Sequence, residues 1–257
     1  MRRYSKKTTF AVQLLFYIVI NFFSLSCIAQ NKEKINSGFN NVLTSGEVQS
    51  AAFHVFDKEL YSAYVTRGSA SSTLWVNNIT KKTSWNLGLE INGVWELTGH
   101  NNGFVLAGED GNLHFVDLNT KKKEIIKSPF KNEKPIVSIA SEGNIVYAGT
   151  YKHALVFAYD TKARKYILEH NEPYFTGESY VRSMVYSKKN QSLYLGTGTK
   201  AILGSLDLAT KEVKNLFLGS EKGYNFVYGM RLLEDINGND YIFCRLTGDG
   251  VRKSMLF

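Results

Sequence analysis

The sequence predicts an all-β fold, a β-propeller built from four-stranded antiparallel blades. The main observation is that three columns of similar residues recur in phase, about 45 residues apart. The second is that no stretch after residue 47 keeps a 3.6-residue apolar period over the length of a helix. Short runs of Val, Ile, Tyr and Phe instead alternate with Gly, Asn, Asp or Ser. Four such runs per repeat are typical of propeller blades.

The first column is a tight turn that follows an extended apolar run. An acid or amide begins it, and a basic residue ends it in four copies: Asn77–Lys81, Asp117–Lys121, Asp160–Arg164 and Asp207–Lys211. An Asx side chain accepts backbone N–H bonds from residues two or three positions further on, which stabilises a tight turn. Each copy therefore predicts a corner between two antiparallel strands.

The other two columns predict strands of the same repeat. An aliphatic, variable, mostly small, apolar pattern marks the first strand in five copies: Val48–Ala51, Val94–Leu97, Ile136–Ile139, Val181–Met184 and Val227–Met230. An apolar run that ends in glycine precedes a loop at Phe104–Gly108, Ile145–Thr150 and Leu193–Thr197. Three columns in phase are difficult to obtain by chance.

Two segments carry a resemblance to a known group of proteins. Gly108–Lys121, and Val146–Thr150 continuing to Phe157–Asp160, resemble the repeat of quinoprotein-like (PQQ/WD40-type) β-propellers of secreted bacterial proteins. The resemblance covers roughly residues 47–257 and implies the architecture alone, because such repeats occur in enzymes, scaffolds and sensors.

The chain departs from this group at several positions. Lys121 and Lys211 stand where a glycine usually follows the threonine of the repeat, and only Trp85 resembles the blade-docking tryptophan. The paired cysteines and the metal-binding acid of quinone-dependent dehydrogenases are not visible. We therefore expect neither quinone chemistry nor any other cofactor.

The repeat divides the chain into three segments. Residues 1–29 are predicted to be a signal peptide, 30–46 a lead-in, and 47–257 the propeller. Its approximate blades are 47–91, 92–133, 134–178, 179–225 and an incomplete 226–257. The propeller segment corresponds to about 4.7 repeats. Three interpretations follow: a five-blade ring closed by the lead-in, part of a larger propeller, which the sequence favours, or closure by a second chain.

The N-terminus has the pattern of an export signal. Arg2, Arg3, Lys6 and Lys7 precede an apolar run from Phe10 to about Ala29, so we expect secretion or delivery to the periplasm with cleavage after Ala29. Two alternatives are an uncleaved membrane anchor and a lipid on Cys27, whose flanking residues match a lipoprotein box poorly.

Removing the leader changes the charge and the cysteine count. Its four basic residues account for half of the formal charge of +8. The remaining +4 gives no argument for a nucleic-acid partner. Cys244 becomes the only cysteine, so no disulfide forms within the chain, and its apolar surroundings predict a buried, inert thiol.

The loop-bearing rim of the propeller is the predicted site. Because side chains from different blades meet near the shared axis, we expect a ligand site there. Its residues are Trp95, Tyr151, Arg182 and Tyr228. Aromatic faces stack on sugar rings and an Arg fork binds carboxylate, so an acidic glycan or a protein partner is expected. The plainer interpretations are aromatic packing and an ion pair of Arg182 with Glu96 or Glu178.

Three functional hypotheses follow, led by a non-enzymatic exported module that binds a ligand or partner at the rim. The first alternative is a lyase acting on uronate polysaccharides, with His153 or Tyr180 as proton acceptor and Arg182 neutralising charge. The second alternative is the extracytoplasmic sensor part of a larger receptor. The histidines lack metal-ligand spacing, so no metal site is expected.

Overall fold

The computed structural model describes residues 47–68, 71–248 and 250–257. The predicted leader and lead-in, residues 1–46, lie outside the described residues. Residues 47–235 and 240–257 belong to one compact unit. Within the described ranges this unit contains strands, one short 3-10 turn at Gly219–Lys222 and no α-helix.

The strands form five antiparallel meanders. The first sheet contains β1 (Val48–Phe56), β2 (Glu59–Thr66), β3 (Thr73–Asn78) and β4 (Thr83–Gly88). The second contains β5 (Val94–His100), β6 (Gly103–Gly108), β7 (Leu113–Asp117) and β8 (Lys123–Ile126). The third contains β9 (Ile136–Glu142), β10 (Ile145–Thr150), β11 (Val156–Asp160) and β12 (Lys165–His170).

The last two meanders are joined. The fourth contains β13 (Tyr180–Ser187), β14 (Ser192–Gly198), β15 (Ile202–Asp207) and β16 (Val213–Leu218). The fifth contains β17 (Phe226–Glu234), β18 (Asp240–Gly248) and β19 (Val251–Leu256), and the pair Gly198–Phe226 connects it to the fourth. The prediction of an all-β propeller with four-stranded antiparallel blades is confirmed.

The predicted turns are built by their acidic residues. Asp207 Oδ1 accepts hydrogen bonds from the backbone N–H groups of Ala209 at 2.9 Å and Thr210 at 2.8 Å. Asp117 and Asp160 make the same pair of bonds in their own turns. In the first sheet the prediction is wrong by one residue, because Asn78 and not Asn77 accepts the bond, from the N–H of Lys81.

The residue four positions after each acceptor takes a left-handed backbone. It is Lys82, Lys121, Arg164 or Lys211, with φ between 55° and 64°. This is the conformation that glycine adopts without steric cost, so each of these four basic residues holds a backbone that glycine would hold more easily.

The core lies between successive sheets. The first strand of each sheet packs on the first strand of the next, in the series β1, β5, β9, β13 and β17. Two glycines allow the sheets to approach closely. A Cβ on Gly149 would lie 2.6 Å from Val181, and one on Gly196 would lie 2.7 Å from Val227. The third column of the repeat therefore marks the places where one blade receives the next.

The series of described sheets has two uncovered ends. Among the described strands, β17 does not pack on β1 as the successive first strands do. Phe53 and Val55 of β1 are exposed, and so are Phe243 of β18 and Leu256 of β19. None of the described elements is a helix long and apolar enough to span a membrane.

Candidate functional site at the rim

A bulge in the first strand places the predicted rim residues. The pairing of first and second strands skips Gln49, Trp95, Val137 and Arg182 in the first four sheets. A bulge re-aims the side chain of the extra residue away from its regular position. In the fifth sheet the skipped residue is Gly229, whose φ of 40° suits glycine. Tyr228 therefore stays in register opposite Arg245.

Four side chains from three sheets form a stack, which we call the rim stack: Trp95, Arg182, Tyr228 and Arg245. The Arg182 guanidinium lies 5.2 Å from the ring centroid of Trp95 and 4.4 Å from that of Tyr228. Arg245 lies 5.5 Å from the Tyr228 ring. Each distance is within the range of a cation–π interaction.

The guanidinium N–H groups of the two arginines in the rim stack are not used by other described residues. No ion pair or hydrogen bond joins the guanidinium of Arg182 or Arg245 to another described residue. Stacking occupies the flat faces of a guanidinium but leaves its N–H groups around the edge. The stack therefore presents cationic donors that form no ion pair among the described residues, although the charge of Arg182 does act on the nearby Glu96.

The two predicted ion-pair partners of Arg182 are used elsewhere. Glu178 accepts the backbone N–H of Lys200 with both carboxylate oxygens, at 2.9 and 3.1 Å. Glu96 accepts the N–H of Ile139 at 2.8 Å. The predicted pairing of Arg182 with either residue is therefore wrong in this structure.

Glu96 lies half-buried near the rim stack. Burial raises its pKa to about 7, although the N–H of Ile139 and the charges of Arg231 and Arg182 oppose the change. The low-dielectric surroundings disfavour the carboxylate more strongly than the nearby cations favour it. Near neutral pH, protonated and ionised Glu96 are therefore both populated beside Arg182.

Tyr151 and Tyr180 form a separate aromatic pair next to the stack. Their rings stack at 4.4 Å with an interplanar angle of 18°, and their backbones form an isolated β-bridge. Tyr180 also contacts Phe226 at 5.8 Å, and Phe226 contacts Tyr228 at 5.4 Å. The predicted Tyr151 thus reaches the rim stack only through two intervening rings.

Tyr180 is poorly suited to accept a proton. Burial is the largest cause that raises its pKa, and the neighbouring Tyr151 raises it further. A phenol with a raised pKa is rarely ionised near neutral pH. Of the two predicted proton acceptors, Tyr180 is therefore the less suited.

His153 is held by a buried carboxylate. Its Nδ1 contacts Glu133 Oε1, and its backbone N–H donates to Glu133 Oε2 at 3.1 Å. Thr150 donates to the same Oε2 at 2.8 Å. Burial acts to raise the pKa of Glu133, but these hydrogen bonds prevail and lower it. The imidazole itself stays exposed, so its other nitrogen faces solvent.

Sequence reasoning missed Arg245 and Glu133. Arg245 lies in an apolar strand of the fifth sheet, and its partner Tyr228 becomes evident only from the strand register. The alternation of Tyr241, Phe243 and Arg245 along β18 was a usable signal, since such side chains share one face of a strand. Glu133 lies in the loop between β8 and β9, and nothing in its spacing from His153 indicates their contact.

The described residues also include histidines that could ligate a metal and the single cysteine of the propeller segment. No group of three or more potential ligands there is arranged to hold a metal ion. Buried His100 contacts the hydroxyls of Ser141 and Thr161, and burial with the nearby His54 lowers its pKa to about 4. Cys244 is buried, as predicted, and burial raises its thiol pKa to about 11, which disfavours the reactive thiolate.

Fold and rim together define the class of this protein as a β-propeller with a cationic, aromatic rim. No family model matches the sequence, and no curated protein matches it. Solved structures do match: the crystal structure of the Saccharomyces cerevisiae Sqt1, a WD40 β-propeller protein, gives a TM-score of 0.57 at 15% identity. The match covers 83% of this chain and 59% of that chain.

The structural likeness extends to many proteins and establishes the fold alone. Because 872 solved chains match, the architecture by itself does not indicate a function. The chain spans about three fifths of the Sqt1 chain. The quinoprotein-like and secreted bacterial type remains a prediction from the sequence.

Proposed function

We propose that the chain is an exported propeller module that binds a carboxylate-bearing ligand at the rim stack. The observation that carries the proposal is the position of Arg182 between the rings of Trp95 and Tyr228. A guanidinium fixed by two rings loses little further freedom when a ligand binds, so its donors are preorganised. Arg245, which also lies over the ring of Tyr228, adds a second cation to the same site.

The chemistry of the stack favours a ring-bearing acid such as a uronate unit of an acidic glycan. A planar guanidinium matches a carboxylate with two parallel hydrogen bonds. Trp95 is 40% exposed, so part of its indole is accessible to the apolar face of a sugar ring. Carboxylate recognition and ring contact are then supplied by neighbouring side chains.

The test is a titration of the purified chain with galacturonate oligosaccharides, followed by tryptophan fluorescence. Arg182→Ala should weaken binding by about tenfold or more, since a charge-assisted, bidentate contact is lost. Arg164→Ala removes an exposed arginine of the third sheet that pairs with Glu124, and should leave binding unchanged. Equal affinities of wild type and Arg182→Ala would contradict the proposal.

Export is a separate part of the proposal and rests on the leader sequence alone. Residues 1–29 have the basic and apolar regions of a secretory signal. Mass spectrometry of the chain recovered from a secreting host should show Gln30 as the first residue. A mature chain that begins at Met1, or that carries a lipid on Cys27, would contradict cleavage after Ala29.

A second candidate function is a uronate lyase, which the contact between His153 and Glu133 favours. Glu133 orients the imidazole at Nδ1, so Nε2 would take the proton beside the uronate carboxylate. The electron pair of that C–H bond forms a ring double bond as the glycosidic C–O bond breaks, and the departing oxygen takes up a proton. Arg182 would neutralise the developing charge.

The lyase has its own readout, the ultraviolet absorbance of the unsaturated uronate product. The absorbance should rise with wild type and stay flat with His153→Ala, while Glu133→Gln should reduce the rate by about tenfold or more through the loss of orientation. Binding without any rise in absorbance would support the binding module and contradict the lyase. A rise that survives in His153→Ala would discard the role of His153.

A further inference from the structure

Each of the first four sheets has one face turned toward the following sheet, which covers it. We call this the forward face. One position of the second strand and its partner on the third strand lie on this face and contribute to its core. These pairs are Val65–Leu74, Ala107–Leu113, Gly149–Val156 and Gly196–Leu203. All eight residues are buried, and all are small or aliphatic.

The fifth sheet breaks this pattern at the equivalent positions. Cys244 pairs with Met230 as Leu195 pairs with Met184, so the next residue, Arg245, is equivalent to Gly196. Its partner on the third strand is Ser254. Both side chains are exposed. An arginine and a serine thus stand at the positions where the four covered sheets have buried small or aliphatic residues.

The strand register places further residues on the same surface, which we call the fifth-sheet face. Its exposed members are Arg231, Tyr241, Phe243, Arg245, Arg252 and Leu256. Glu234 and Asp240 pair with each other on the opposite face of the sheet. Within the described part of β17, β18 and β19, this face therefore carries three arginines and no carboxylate.

We infer that the fifth-sheet face docks an acidic polypeptide. Arginine and aromatic residues are the types that supply most of the binding energy in protein interfaces. The charge of Arg231 acts on Glu96, but no carboxylate lies on the described part of this face, so its three cations repel one another and an acidic partner relieves that repulsion. Phe243 and Leu256 would bury against apolar side chains of a polypeptide, which a glycan lacks. This face adjoins the proposed ligand site at the rim and shares Arg245 with it, but its other members lie outside the rim stack.

A second copy of this chain does not fit the same surface. The uncovered face at the other end of the series carries Phe53, Val55 and Leu60, which are exposed and uncharged. Docking that face onto the fifth-sheet face would bury arginines without an acidic partner. Burying unpaired charge costs more free energy than the apolar contact returns.

The probe for this inference is a fluorescently labelled random copolymer of glutamate and tyrosine, titrated with the full chain and followed by anisotropy. Polyglutamate, a lysine–tyrosine copolymer and a galacturonate oligosaccharide serve as competitors. We expect the glutamate–tyrosine copolymer to bind most tightly, because both charge and apolar contact contribute. Stronger competition by the oligosaccharide than by polyglutamate would overturn the polypeptide assignment.

Two variants of the face and two matched variants elsewhere make the test specific. Arg231→Glu and Phe243→Ser should each weaken binding by about tenfold. Lys165→Glu and Ile167→Ser make the same changes at exposed positions of β12 and should have no effect. Equal losses in both sets would show nonspecific attraction and overturn the inference.

Two further results separate this surface from the other proposals. Arg182→Ala should retain copolymer binding, so failure of the rim proposal and failure of this one are distinguishable. If Phe243→Ser loses its cooperative thermal transition, Arg252→Glu at the exposed edge strand replaces it in the comparison. Concentration-dependent dimers in light scattering that Arg231→Glu abolishes would identify a second copy as the occupant and overturn the inference.

Discussion

The hydroxyl of Ser183 donates a hydrogen bond to the backbone carbonyl of Val227 at 2.8 Å, from the fourth sheet to the fifth. Ser138 makes the same bond to the carbonyl of Val181 at 2.6 Å. The bonds from one sheet to the next are thus made by a small polar residue of the first-strand column. Between the first and second sheets, and between the second and third, the column residue accepts instead. Gln49 accepts the backbone N–H of Val94, and Glu96 accepts that of Ile139.

Ser183→Ala should lower the free energy of unfolding by about 0.5–1.5 kcal/mol, because the hydrogen bond between Ser183 and the carbonyl of Val227 is lost. Denaturant unfolding followed by circular dichroism measures the change. Ser84→Ala alters an exposed serine of β4 and should change stability by less than about 0.5 kcal/mol. A Ser183→Ala protein as stable as wild type would show that this bond does not join the sheets.

Gly196→Ala should destabilise the fold by about 1–3 kcal/mol through overpacking. The added Cβ would lie 2.5 Å from Ser183 Oγ and 2.7 Å from Val227. Gly88→Ala is the control, since its Cβ would meet no atom within 4 Å. The thermal midpoints of the two variants give the comparison, and equal midpoints would mean that the sheets are not closely apposed at Gly196.

Glu96 should make stability fall as the pH rises. Its pKa is 4.5 for the ordinary group and about 7 in the folded chain, so folding favours its protonated form. The stabilisation is fully present below pH 4.5 and is lost as the pH rises through 7. Glu96→Gln keeps a neutral acceptor for Ile139, so it should gain about 3 kcal/mol relative to wild type between pH 4.5 and pH 8.

Denaturant unfolding of wild type and Glu96→Gln at both pH values checks this expectation. Only the difference between the two proteins matters, because other groups titrate equally in both. A difference that stays constant with pH would show that the carboxyl group is solvated in the folded chain.

Lys82→Gly should stabilise the chain by about 0.5–1 kcal/mol. The lysine has a φ of 56°, a left-handed backbone that costs energy for any residue with a Cβ. Lys165→Gly, on an exposed strand position of β12, should instead lose about 0.5–1 kcal/mol. Opposite shifts of the two thermal midpoints are expected, and a loss in both would mean that the turn does not hold lysine under strain.

The fold was predictable because its signals are local and repeated. Each Asp turn depends on bonds that reach two or three residues along the chain, and Asp117, Asp160 and Asp207 all form them. The repeat then fixes which runs are strands. The error between Asn77 and Asn78 arose because two adjacent amides fit the same pattern and only the register distinguishes them.

The candidate site was predictable only in part. Trp95, Arg182 and Tyr228 were placed together by the shared phase of the first-strand column, and the structure brings them into contact. Arg245 and Glu133 were missed because their partners depend on strand register and loop packing between residues far apart in sequence. The alternation along β18 indicates which face Arg245 shares, but its pairing with Tyr228 and the contact of Glu133 with His153 depend on strand register and loop packing that no periodicity encodes.

Isothermal titration calorimetry of galacturonate oligosaccharides with wild type and Arg182→Lys tests whether the rim stack binds a carboxylate. Lysine keeps the positive charge but loses the planar fork and its stacking between two rings. We expect Arg182→Lys to bind about tenfold or more weakly and to keep the thermal midpoint of wild type. Equal affinities, or no binding to either protein, would contradict a carboxylate site at the rim stack.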